Sequence, residues 1–207
     1  MSRVPLVKYL AGTRRVFFTT AEIVALSGKS PSTVVQGLRR LETHGVIVRI
    51  YRGIWAHAEV PAVNPYEVIP LLLPAHRVYL SFLSALHLHG MIGQVPRIVT
   101  LASTAHSRTL RTALGVFAVH RIDPGFFWGF DWHLNAGGFL VAAPEKALLD
   151  CLYLAGRRGK RYAYFPELTF HSTFSFGKAR QWARRIRDPR LRAHVLAGLE
   201  ALRRRPA

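Results

Sequence analysis

Gln36 and Arg40 stand four residues apart in a segment, 30–43, whose apolar members Val34, Leu38 and Leu41 recur at helical spacing. On a helix the two polar side chains share the face opposite that apolar stripe. A glutamine amide matches the donor and acceptor that adenine shows in the major groove, and a guanidinium matches the two acceptors of guanine. Arg40 suits a phosphate oxygen equally well. Ser30, Ser32 and Thr33 open the segment, where hydroxyls and amides at a helix N-terminus suit phosphate oxygens. Lys29, Arg39, Arg49 and Arg52 add cations for backbone grip. The candidate DNA-binding set is therefore Lys29, Ser30, Ser32, Thr33, Gln36, Arg39, Arg40, Arg49 and Arg52.

Such side chains act only if neighbouring elements hold that helix outward. Arg3 to Ala11 reads as a short helix with Leu6, Val7 and Leu10 on one side, and Val16-Phe17-Phe18 as a short strand. Thr19-Thr20-Ala21-Glu22 is a capping-box pattern, in which Thr19 accepts from the third helical amide and Glu22 reaches back. The helix it opens, with Ile23, Val24 and Leu26 inward, stops at Ser27-Gly28-Lys29, where glycine permits a left-handed residue. Ser30 caps the next helix and Pro31 fits its first position. Val46 to Tyr51 alternates as a strand, Arg52-Gly53 turns, and Ile54-Trp55-Ala56 returns. Two helices joined by a short glycine-containing turn and followed by a hairpin predict a winged helix-turn-helix over residues 1–60.

Charge agrees with a polyanionic partner. The chain has 29 Lys and Arg against 11 Asp and Glu, a formal net charge of +18 in 207 residues. The excess lies at the ends: 9 basic and 3 acidic residues in 1–60, 10 and 6 in 61–176, and 10 and 2 in 177–207. Pro61-Ala62-Val63-Asn64-Pro65 reads as a linker. Arg14 and Arg15 interrupt the first apolar run, no stretch is apolar enough to span a bilayer, and the expected location is cytoplasmic, with no membrane partner.

The middle region predicts helices over Tyr66–Leu73, broken at Pro70, and over Ala75–His89, stopped by Gly90. Strands are expected at 98–102, 116–122 and 139–142, with more strand in the aromatic run 126–135, and a helix from Pro144 through Leu154. The expected class is α+β, an antiparallel sheet with packed helices following the winged helix. Residues 177–207 read as a basic extension of two short helices split at Asp188-Pro189.

Catalytic patterns are weak. His87 and His89, two apart, point to different sides of a helix, so no metal site is expected. Glu145, Lys146 and Asp150 suggest a nuclease, but adjacent Glu145 and Lys146 on a helix do not match a strand-borne carboxylate-x-Lys arrangement, and Glu145 after Pro144 reads as favouring a helix N-terminus. Cys151 lies among Leu148, Leu149 and Leu152, a buried apolar position, and as the single cysteine it forms no internal disulfide. No phosphate-cradling glycine loop is present. No catalytic residue and no cofactor is assigned. The alternative reading, a nucleic-acid-processing enzyme targeted by the winged helix, has little acidic inventory in 61–176 to support it.

The N-terminal pattern, together with Tyr79-Leu80-Ser81-Phe82-Leu83-Ser84-Ala85-Leu86-His87-Leu88-His89-Gly90 and Val141-Ala142-Ala143-Pro144-Glu145-Lys146-Ala147-Leu148-Leu149-Asp150, resembles the AbiEi antitoxin family over about residues 5–165. The resemblance implies the antitoxin and transcriptional-regulator half of an abortive-infection toxin–antitoxin pair, active in phage defence. It implies a winged helix that represses its own operon at inverted repeats in double-stranded DNA. It further implies an antitoxin domain over 61–176 that counters a cognate nucleotidyltransferase-like toxin.

Overall fold

The structure is a computed structural model that describes residues 5–11, 15–58, 64–133, 138–158 and 165–204. Two compact units divide the chain. The first is Met1–Pro74 with Arg111–Gly115, and the second is Ala75–Leu110 with Val116–Ala207.

In the first unit α1 (Leu6–Ala11), β1 (Phe17–Thr19), α2 (Thr20–Ser27), α3 (Pro31–Thr43), β2 (Ile47–Tyr51) and β3 (Ile54–His57) follow in order. A three-stranded antiparallel sheet, ordered β1-β3-β2, backs the helices. Leu10, Phe18, Ile23, Val34, Leu38, Ile47 and Trp55 form one buried cluster, with Leu6, Val24 and Leu41 packed against it. Val7, expected inward with Leu6 and Leu10, is exposed, as is Leu26 of α2. A six-residue helix cannot bury three residues on one narrow contact, and Leu6 takes the inner place. It does so over Gly37 in α3, where a Cβ would stand 2.1 Å from Leu6 Cδ1. Glycine costs helix propensity there but allows the close approach.

A 3-10 turn, Pro65–Val68, leads into α4 (Ile69–Leu72). Pro70 does not break this run. It occupies the first turn of α4, where its missing N–H is not needed. The expected linker residues 61–63 lie outside the described residues. The stretch Arg111–Gly115 groups with this unit, its Ala113 amide donating to the Ile50 carbonyl.

The second unit carries β4 (Val78–Leu80), α5 (Phe82–Leu88), β5 (Ile98–Ser103), β6 (Arg108–Thr112), β7 (Gly115–Arg121), β8 (Phe130–His133), β9 (Phe139–Ala142), α6 (Pro144–Arg158), α7 (Phe176–Ala183) and α8 (Pro189–Arg203). The sheet order is β6-β7-β5-β4-β9-β8. It is α+β as expected, but the sheet is mixed rather than antiparallel. β4 pairs antiparallel with β5, and β8 with β9, whereas β4 runs parallel to β9 and β5 parallel to β7. The expected continuous helix over 75–89 is instead a strand followed by a helix. Val78, Tyr79 and Leu80 are buried in the sheet between β5 and β9, and Phe82 at φ 55° turns the chain into α5. The left-handed region is costly for a bulky residue, and the fully buried Phe82 ring offsets that cost through its packing.

Helices α6, α7 and α8 pack on one another, with Val195, Leu199 and Leu202 of α8 turned inward. The two C-terminal helices are split as expected, with Asp188 capping α8. They are part of the second unit. Among the described residues no helix is long and apolar enough to cross a membrane.

The centre of this unit is polar. Lys146 and Asp150, one turn apart on α6, form a fully buried ion pair. Tyr79 Oη and Ser81 Oγ donate to Asp150 Oδ2 at 2.9 and 2.7 Å. The Lys146 ammonium lies 3.8 Å from the Phe126 ring centroid, with Tyr79 and Trp128 at 5.7 and 5.8 Å. Burial pushes the Asp150 carboxyl up and the Lys146 ammonium down from their ordinary values. The two sequence motifs around 79–90 and 141–150 thus meet in one node. His89 Nε2 adds a 2.7 Å contact to the Ala142 carbonyl. Beside the node Glu145, 2% exposed, accepts from the Ser175 amide and from Lys178 Nζ. Its expected role as a plain helix-N-terminal charge is therefore too small: it ties α7 to α6.

Candidate nucleic-acid interface

Local chemistry sets the angle between α2 and α3. Thr19 Oγ1 accepts from the Glu22 amide at 3.1 Å, and the Glu22 carboxylate accepts from the Thr19 amide at 2.6 Å, so the capping box closes. Gly28 ends α2 at φ 62° and donates to the Val24 carbonyl. Ser30 caps α3 by accepting from the Thr33 amide at 3.3 Å, with Pro31 in the first turn. A chain that reverses within three residues leaves α3 no freedom to roll about its axis without losing Val34 and Leu38 from the core. Both are fully buried.

The opposite face of α3 is open. Ser32, Thr33, Gln36, Arg39, Arg40 and Thr43 are all exposed. Ser32, Gln36 and Arg40 line up at i, i+4 spacing, roughly 6 Å apart along the axis at 1.5 Å per residue. Arg39, Arg40, Arg49 and Arg52 make no ion pair among the described residues. Thr43 is less available, because its hydroxyl donates to the Arg39 carbonyl. The hydroxyls of Ser32 and Thr33 contact Ser30 Oγ at 3.1 and 2.8 Å, an exposed cluster at the helix start. Lys29 is half-buried in the turn, its amide donating to Ser27 Oγ.

The β2–β3 hairpin is held to the same helices. The Thr20 amide donates to the Gly53 carbonyl at 2.9 Å. Trp55 Nε1 donates to Thr20 Oγ1 at 2.9 Å, and β1 pairs with β3 from Phe17 through Thr19. Arg49 faces Trp55 across the strands, its guanidinium carbon 5.9 Å from the indole centroid. Arg52 is exposed at the hairpin tip beside Gly53. The structure thus brings Gln36, Arg39 and Arg40 onto one exposed helix face and sets Arg49 and Arg52 on a hairpin braced to α2. Thr20 and Trp55 as braces were not expected. The signal was a tryptophan closing a strand two residues after a turn, with a threonine pair ahead of the helix.

Residues 5–57 match the family of transcriptional regulators described as AbiEi antitoxin. The AbiEi match spans α1 through β3, the elements that build and brace the α3 face. The motifs around 79–90 and 141–150 that also carried the resemblance lie beyond it. No curated protein matches the chain.

Elsewhere the side chains weighed for catalysis are buried. Glu145, Lys146 and Asp150 are engaged in the polar centre of the second unit. Cys151 is fully buried, and burial pushes its thiol well above its ordinary value. Among the described residues no three His, Cys, Asp or Glu side chains are placed to hold a metal ion.

Proposed function

We propose that the N-terminal unit is a winged helix-turn-helix that binds double-stranded DNA in a sequence-dependent way, and that the protein represses transcription as the antitoxin of a toxin–antitoxin pair. α3 enters the major groove with Gln36 and Arg40 toward base edges. Ser30, Ser32, Thr33, Lys29 and Arg39 hold flanking phosphates, and Arg49 and Arg52 extend the grip along the backbone. The observation that carries the reading is the α3 face itself: an amide and a guanidinium one turn apart, exposed, beside three arginines without carboxylate partners.

One such module buries too little surface for high specificity alone. Two copies on an inverted repeat supply the rest, consistent with a regulator of its own operon. The AbiEi match over residues 5–57 supports the regulator and antitoxin role. In this reading the cognate partner is a nucleotidyltransferase-like toxin. The work of the middle region, 61–176, is the antitoxin activity in this reading.

The test is selection from a random duplex pool by the purified full chain, followed by footprinting on the DNA upstream of its own reading frame. Enrichment of a repeated motif, protected upstream of the gene, is the expected result. A pool that stays random after repeated rounds refutes the proposal.

A further inference from the structure

A second cationic site lies in the second unit. Arg157 at the end of α6 and Arg185 and Arg187 in the α7–α8 turn line a recess of about 230 Å³ whose inner wall is Phe126 and Tyr153. We propose that this recess binds a phosphate monoester, meaning the terminal phosphate of a small phosphorylated molecule or inorganic phosphate itself.

Two of the three guanidinium groups are held by neutral partners. Arg185 stacks on Trp128, its guanidinium carbon 4.8 Å from the ring centroid. Arg157 donates to Tyr153 Oη at 3.2 Å and leans over the same ring. Arg187 lies near Gly125, where a Cβ would stand 3.1 Å from its Nε and 3.0 Å from Asp123 Oδ1. Fixing a guanidinium by a ring or a hydroxyl leaves most of its five N–H donors unused, and it cuts the entropy cost of gripping an anion.

Two carboxylates line the recess as well, each with its Oδ1 engaged by backbone amides. Asp123 Oδ1 accepts from the Gly125 amide at 2.8 Å, and Asp188 Oδ1 accepts from the Arg190 and Leu191 amides at 2.9 and 3.2 Å. Neither forms an ion pair with the three arginines among the described residues. Three cations against two carboxylates leave an excess of one positive charge with forked donors, the chemistry that selects a tetrahedral oxyanion. The donors also select the source. A monoester presents three unsubstituted oxygens and up to two negative charges to the forked donors, whereas a diester presents two oxygens and one charge.

The test is isothermal titration calorimetry on the full chain at low salt with three probes: inorganic phosphate, glycerol 3-phosphate and dimethyl phosphate. The first two are expected to bind saturably, and the diester at least about tenfold more weakly. Arg185→Ala with Arg187→Ala should weaken phosphate at least about tenfold, while Arg97→Ala, an exposed arginine elsewhere in the unit, leaves it unchanged. Arg187→Lys keeps the charge and the fold but loses the fork, and an intermediate loss is expected. The Gln36→Ala, Arg40→Ala double variant should bind phosphate like the parent, which separates this site from the α3 face. No saturable heat with phosphate, equal binding of the diester, or parental affinity in the double arginine variant would each overturn the proposal.

Discussion

Replacing Lys146 by methionine removes one charge from the buried centre of the second unit and keeps nearly all of its volume. The ammonium has no solvent exposure, and its carboxylate partner has none. In the variant Asp150 retains only the two hydroxyl donors, Tyr79 and Ser81. Breaking one half of a buried pair costs about 3–5 kcal/mol, because the remaining charge stays desolvated. The same loss removes the ammonium from the ring faces of Phe126, Tyr79 and Trp128, and methionine restores the dispersion but not the electrostatic part.

The cost should depend on pH with a definite sign. Burial already holds the Asp150 carboxyl above its ordinary value, and losing the ammonium pushes it further up. A carboxyl with a folded value above its unfolded one, about 4, stabilises the fold below that unfolded value. That stabilisation is lost as pH rises through the folded value. The deficit of Lys146→Met relative to the parent should therefore be small near the unfolded carboxyl value and largest at neutral pH. Urea unfolding followed by tryptophan fluorescence reads this, since Trp128 lies beside the pair. Lys146→Met with Asp150→Asn should recover roughly 2 kcal/mol at neutral pH, because a neutral amide oxygen can still accept from the two hydroxyls. A single variant within about 1 kcal/mol of the parent at neutral pH, or a deficit that ignores pH, refutes the reasoning.

Three smaller perturbations test the N-terminal unit and the buried thiol. Thr19→Ala opens the capping box and should cost about 1 kcal/mol in urea unfolding, with Glu22→Ala losing less; no loss for Thr19→Ala contradicts the cap. Gly28→Ala meets nothing within 4 Å, so its cost of about 1–2 kcal/mol comes from the left-handed backbone alone, and Gly28→Asn should cost less than alanine. Cys151 should resist a thiol-specific reagent in the native protein at neutral pH and react on unfolding; rapid native labelling would contradict its burial.

What the sequence revealed about this fold divides along local and non-local physics. The capping box at Thr19 and Glu22, the left-handed Gly28, the Ser30-Pro31 start and the Arg52-Gly53 turn are each decided by residues within four positions, and all appear in the structure. Val78-Tyr79-Leu80 was hidden because apolar spacing through 78, 82 and 86 fits a helix. Its strand form comes from partners some 20 and 60 residues away, Leu101 and Val141. The parallel pairings that make the sheet mixed are non-local too, Leu80 with Val141 and Ile98–Ser103 with Val116–Arg121. Lys146 and Asp150, weighed in the sequence only as part of a nuclease pattern, were not legible as a buried pair for a related reason: only the folded chain places rings and hydroxyls around them. The α3 face was legible because exposure there is the complement of a short apolar stripe.

The central claim, that Gln36 and Arg40 read bases while Arg52 holds backbone, is tested most directly by fluorescence anisotropy on two duplexes, the selected site and a scrambled sequence of equal length. Gln36→Ala and Arg40→Ala should each lose about 1–3 kcal/mol on the selected site and little on the scrambled one, with Arg52→Ala weakening both alike. Equal losses on the two duplexes for Gln36→Ala and Arg40→Ala would contradict it.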